Sequence, residues 1–129
     1  MKVISPLAVY LPRKTMKDKK HILNLNNYRN WHYIVNNQIK ARYCLEMRSQ
    51  LSEIKPCGTI TLSFKYFKPS KRKCDRANIY AIQEKFFSDA LVYYGIIKDD
   101  SDEYIARSIY EPVELDRKNP RVEIEIIEI

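Results

Sequence analysis

The stretch that most restricts this chain runs from residue 59 to 67, where Ile60, Leu62, Phe64 and Tyr66 alternate with Thr59, Thr61, Ser63 and Lys65. A period of two suits a strand buried on one face and does not suit a helix. Pro56 and Gly58 lie before it, and the basic loop KPSKRKCD, residues 68–75, follows it. From Arg76 to Tyr94 the pattern turns helical, with Ile79, Ile82, Phe86 and Ala90 on one stripe. Asp75 stands where an N-cap is wanted, and Gly95 where a left-handed residue would end the helix.

Less constrained elements surround this strand and helix. Residues 6–12 are a β-prone run bounded by prolines, and residues 13–20 form a basic arm with Arg13, Lys14, Lys17, Lys19 and Lys20. Between Asn27 and Ile54 there is no Pro or Gly, and Trp31, Ile34, Val35, Ile39, Leu45, Leu51 and Ile54 recur at roughly helical spacing. This predicts one long amphipathic helix stopped by Pro56 and Gly58. Residues 104–110 and 121–129 read as two further strands, the second setting Val122, Ile124 and Ile126 against Glu123 and Glu125. The order β-α-β-α-β-β predicts an α+β domain, a mostly antiparallel sheet of about four strands with two helices packed on one face. A chain of 129 residues suits a single domain, residues 1–129.

Several function classes are excluded by what is missing. With two glycines in the chain, neither a glycine-rich phosphate loop nor a dinucleotide fingerprint can be built, so no nucleotide cofactor is expected. No apolar run reaches the roughly 20 residues of a membrane helix, and no signal peptide is evident, which predicts a cytoplasmic protein without membrane attachment. Cys44, Cys57 and Cys74 are odd in number and widely spaced, as reduced thiols would be. His21 and His32 have neither metal-ligand nor triad spacing. Charge is more informative. Residues 99–129 carry ten Asp or Glu against four Lys or Arg, a net of −6, so residues 1–98 carry +13 of the chain total of +7. That excess is the footprint of a phosphate-backbone binder or of a solubilising basic surface.

Asp75, Asp99 and Asp100 are the candidate metal ligands, because Mg²⁺ takes one or two carboxylates from a protein and keeps several waters. A 19-residue helix is roughly 28 Å long, so Asp75 can meet the aspartate pair only if residues 95–100 fold back along it. Asn78, Lys85 and Asp89 fall within about 40° of one another on that helix, a row that could aim an amide, an ammonium and a carboxylate into a cleft. The plainer alternative is that Asp75 caps the helix, Lys85 snorkels and Asp89 is solvated. Trp31, Tyr28 and Tyr33 are candidates for stacking on unpaired bases, or else core and interface residues.

Taken in order, the basic loop, D-x-x-N-I, E-K-F-F-x-D-A-L and G-I-I-x-D-D resemble the RusA family of phage and prophage Holliday junction resolvases. Lys71, Arg72 and Lys73 match its basic run, Asp75 and Asn78 its first aspartate and asparagine, and Lys85 its helix lysine. Asp89, Ala90 and Leu91 match its aspartate-alanine-leucine step, and Asp99 with Asp100 its closing pair. The match covers residues 64–105. It implies a RusA-like fold and a homodimer that resolves four-way or related branched DNA, in recombination and repair, by Mg²⁺- or Mn²⁺-dependent hydrolysis. On that reading Asp75, Lys85 and Asp100 are catalytic. Asp75, Asp99 and Asp100, with Asn78 and Asp89 as further candidates, hold the metal. Arg13, Lys14, Lys71, Arg72, Lys73 and Arg76 face the DNA.

One position departs from the family. Ala77 stands where the second aspartate is found, so Asn78 or Asp89 substitutes as ligand, or this branch uses fewer carboxylates, or the protein binds junctions without cutting them. A small protein whose basic face takes RNA or an acidic partner is a third reading.

Overall fold

A computed structural model describes all 129 residues. The chain runs β1 (Lys2–Ser5), β2 (Ala8–Leu11), β3 (Lys19–Ile22), α1 (Leu25–Asn30), α2 (Tyr33–Glu46), α3 (Arg48–Leu51), β4 (Ile60–Lys68), α4 (Arg76–Tyr93), β5 (Ile105–Tyr110), β6 (Glu114–Leu115) and β7 (Arg121–Glu128). The class is α+β, as expected. The main sheet has five strands in the order β1-β7-β4-β5, with β6 also pairing β4, and β2 and β3 make a separate two-stranded sheet.

The sheet is mixed: its pairing is mostly antiparallel, as expected, with parallel pairing along one side of β4. β4 pairs β7 antiparallel but pairs both β5 and β6 parallel. The reason is the path of α4: a strand followed by a long helix starts its next strand from the end where the first began, the geometry of a crossover connection. The alternation in β4 holds, with Ile60, Leu62, Phe64 and Tyr66 buried, and Val122, Ile124 and Ile126 of β7 share that buried face.

The single long helix expected from Asn27 to Ile54 is three helices. No Pro or Gly breaks it. Trp31 and His32 are extended, with φ/ψ of −74°/133° and −59°/146°, and local side chains occupy the freed backbone. Asn24 Oδ1 accepts from the Asn27 amide at 2.7 Å to start α1, and His32 Nδ1 accepts from the Ile34 amide at 3.3 Å to start α2. Such side-chain bonds compete with helix continuation wherever Asn cluster. The basic arm is likewise more ordered than an arm, since Lys19–Ile22 pairs with Ala8–Leu11 as a hairpin. β1 was not expected at all.

One contiguous core of 22 buried residues joins α4, α2, the main sheet and the hairpin. Tyr80 clamps α4 to the sheet by donating to Glu111 O at 2.7 Å and accepting from the Tyr66 amide at 2.9 Å, while its ring stacks on Tyr110 at 4.8 Å. Ser5 bonds the Tyr43 hydroxyl at 2.6 Å and the side chain of Gln83, whose amide donates to Pro6 O at 2.9 Å. This buried polar set fixes β1 to both long helices, and burial raises the pKa of the Tyr43 hydroxyl well above its ordinary value. Gln50 exchanges two 2.8 Å bonds with the backbone of Ile4 and so covers the outer edge of β1.

Candidate functional site

Gly95 makes the acidic segment turn back. Its φ is +72°, its amide donates to Val92 O at 3.0 Å, and the Ile96 amide donates to Leu91 O at 2.9 Å. These two bonds form a complete Schellman cap, and the buried Leu91 and Ile96 supply its hydrophobic contact. Ile96 O then accepts from the Cys57 amide at 2.7 Å, which anchors the turn to the chain ahead of β4. Ser101 O accepts from the amides of both Tyr104 and Ile105 at 3.0 Å, leading the chain into β5.

The outcome is a cavity of about 510 Å³ between α4, the acidic turn and β5. Ala81, Glu84, Lys85 and Ser88 form one wall, Asp100 and Asp102 a second, and Arg107 and Ser108 a third. The turn brings Asp100 to the cavity that Lys85 lines, but it does not bring Asp99 or Asp75 there, so the meeting of Asp75 with the aspartate pair is not made. Neither Lys85 nor Asp100 belongs to an ion pair within 4.0 Å, and the same holds for Glu84, Asp102 and Arg107. Glu84 Oε1 accepts from the Tyr110 hydroxyl at 3.0 Å. Burial and the neighbouring Glu84 carboxylate push that hydroxyl up to about 12, so it remains a donor at neutral pH. Lys85 Nζ sits 5.9 Å from the Tyr28 ring centroid, within cation–π range.

The remaining candidates are dispersed. Asp75 is the N-cap residue of α4 but its side chain makes no capping bond, and it is exposed and does not line the cavity. Asn78 Oδ1 accepts from the Asn26 amide at 3.1 Å and so holds α1 against α4. Asp89 pairs with Lys40 of α2 at 3.7 Å, on a different cavity between the two helices. Asp99 is exposed in the turn, and Ala77 is exposed in the first turn of α4. No three of the Asp, Glu, His and Cys side chains converge as a metal-holding group.

Lys71, Arg72 and Lys73 are exposed, and Arg72 O accepts from Lys68 Nζ at 3.0 Å. Arg76 donates to Tyr110 O at 3.3 Å and lies 6.0 Å from the Tyr80 ring. Lys14 is exposed in the hairpin turn, and Arg13 lines a further cavity beside the hairpin.

The α4–β5 cavity brings carboxylate oxygens to its wall without gathering three of them at one point. Carboxylates of Asp100, Asp102 and Glu84 are the ligand type Mg²⁺ prefers, and it needs one or two of them. Sequence reasoning passes over Glu84, Asp102 and Arg107. Glu84 had a usable signal, because positions 81, 84, 85 and 88 share one stripe of the helix; the other two are joined to it by tertiary folding alone.

A scan against protein-family models finds no match, and a search of curated proteins finds none either. No helix of the chain is long and apolar enough to cross a membrane.

Proposed function

We propose that this protein is a metal-dependent endodeoxyribonuclease acting on four-way or related branched DNA, with its reacting centre at the α4–β5 cavity. The observation that carries the reading is the meeting of Lys85 and Asp100 in one cavity, across a turn that Gly95 reverses. It is supported by the ordered resemblance of residues 64–105 to RusA-type resolvases and by the basic excess of residues 1–98.

Asp100, with one further carboxylate of the cavity wall, Glu84 or Asp102, would hold Mg²⁺ or Mn²⁺. When bound, such a cation supplies Lewis-acid polarisation of a phosphoryl oxygen and a more acidic water nucleophile. Lys85 neutralises charge on the scissile phosphate, an interaction that strengthens as charge develops. Lys71, Arg72 and Lys73 grip the backbone, and Asp75, free of any capping bond beside them at the N-terminal end of α4, is a carboxylate apart from the cavity set. A homodimer would present two such sites to the near two-fold symmetry of a junction.

Incubation of the protein with an end-labelled four-way junction and Mn²⁺ or Mg²⁺ tests this directly. The wild type should incise. Loss of incision in Asp100→Asn alone confines the chemistry to the cavity, and loss in Asp75→Asn as well extends it to the N-terminus of α4. A wild type that cuts under neither metal sinks the proposal. Ala77 favours a second reading, a junction-binding protein that does not cut; it predicts salt-sensitive, metal-independent binding, and incision gained in Ala77→Asp.

A further inference from the structure

The second charged cavity has a different character. It lies between the β2–β3 hairpin and the corner where α1 meets α2, and measures about 570 Å³, within the range of about 300–1,000 Å³ typical of ligand sites. Every charged side chain on its wall is cationic: Arg13, Lys19 and Lys20. None of the three is in an ion pair within 4.0 Å, and the hairpin's one acid, Asp18, does not line the cavity. Arg13 Nε donates to Lys17 O at 2.8 Å, which holds the guanidinium stem against the hairpin turn and leaves its terminal nitrogens unbonded.

Trp31 lines the same cavity, half-buried and held edgewise by His21 at 5.9 Å and by Tyr28 at 6.2 Å. Both contacts are near-perpendicular, so no parallel ring already takes a stacking position on the indole. Amide side chains complete the wall. Asn27 and Asn30 each use one amide hydrogen on a backbone carbonyl, leaving the second hydrogen and the oxygen open, and Gln38 has both ends free. A cationic side, an aromatic wall and unspent amides match, in turn, a phosphate, a base and the base's polar edge. A bare phosphate would leave most of the cavity empty.

We propose that this cavity binds one nucleotide unit, with its phosphate on Arg13, Lys19 and Lys20 and its base against Trp31. The site goes beyond the nuclease reading and does not rest on it, because no hydrolysis is involved. The unit can be a free nucleotide or an unpaired residue of a strand. Both share the same recognition chemistry.

Trp31 is the one tryptophan of the chain, so fluorescence excited beyond the absorption of the ten tyrosines reports on this cavity alone. The full-length protein is titrated at fixed ionic strength with thymidine 5′-monophosphate, with single-stranded d(T)8 and with inorganic phosphate. Saturable quenching by d(T)8 is expected. Quenching by the mononucleotide as well assigns the site to free nucleotides, and quenching by the oligonucleotide alone assigns it to a strand. Two exposed changes, Lys19→Ser and Lys20→Ser together, should weaken d(T)8 at least five-fold without touching the core. His21 provides an independent readout. Its pKa is lowered by burial and by the nearby Lys19 and Arg13, against a raising bond from Lys19 O, so a phosphate beside those cations should raise it in an NMR titration. Absence of quenching by d(T)8, an equal response to inorganic phosphate, or unchanged d(T)8 affinity in the double variant would each overturn the proposal.

Discussion

The α4–β5 cavity and the hairpin cavity are of similar size, yet their charges are arranged on opposite principles. The first mixes Glu84, Asp100 and Asp102 with Lys85 and Arg107, and the second has cations alone. A wall with both signs can hold a divalent cation and a phosphate together, which is what hydrolysis requires. A wall of cations can only grip an anion. The difference teaches that this chain's basic character and its candidate chemistry are separable properties, carried by different elements. Damage to one should leave the other.

The largest effect is expected at the mixed-charge wall. Lys85→Ala should lower the single-turnover incision rate by about 100-fold, the usual cost of removing one group aimed at developing charge, while filter binding of the junction changes by no more than about two-fold. If binding and incision fall together, the two cavities are not separable. At the cationic wall, Lys19→Ser with Lys20→Ser should flatten the dependence of log affinity on log salt by about 0.7 to 0.9, the one phosphate contact that these lysines share with Arg13 on a single or double strand. Incision per bound complex should stay as it was.

Smaller effects test the frame that holds the cavities apart. Gly95→Ala finds open space for its Cβ, so its cost is that of the backbone at φ +72° alone, about 1 kcal/mol by urea unfolding. Because Gly95 reverses the chain toward Asp100, incision should suffer in this variant while d(T)8 quenching does not. The smallest effect is titration of His21. Its folded pKa is depressed below the unfolded value of about 6.5, so its stabilising contribution is full above that value and is lost as pH falls through it. His21→Gln should remove that acid-side loss from the unfolding profile, and an unchanged profile would show that His21 is not the group responsible.

What could be read from the sequence follows from the range of the forces involved. The buried face of β4, the stripe of α4 and the Gly95 cap are local patterns, and each is found where its spacing predicts. Parallel pairing of β4 with β5 is not local; it depends on where α4 delivers the chain. The break at Trp31 and His32 was hidden because no Pro or Gly marks it, and the capping bonds of Asn24 and His32 do that work. At the candidate site, Lys85 and Asp100 were legible as residue types, but the fold-back asked of the turn was one that would join Asp75 to the aspartate pair, and the turn joins Asp100 to the Lys85 wall instead. Asp89 looked like part of the same row, but α2 brings Lys40 to it and takes it to another cavity. Glu84, Asp102 and Arg107 come together across α4, the turn and β5, a grouping no sequence window contains.

On the proposed function, the α4–β5 cavity cuts DNA while the basic surface holds it. Single-turnover incision of a four-way junction in Mn²⁺, measured at saturating protein for the wild type and Asp100→Asn, tests this most directly. At least about a 100-fold lower rate is expected in the variant, with junction affinity preserved. Equal rates in the two proteins would contradict it.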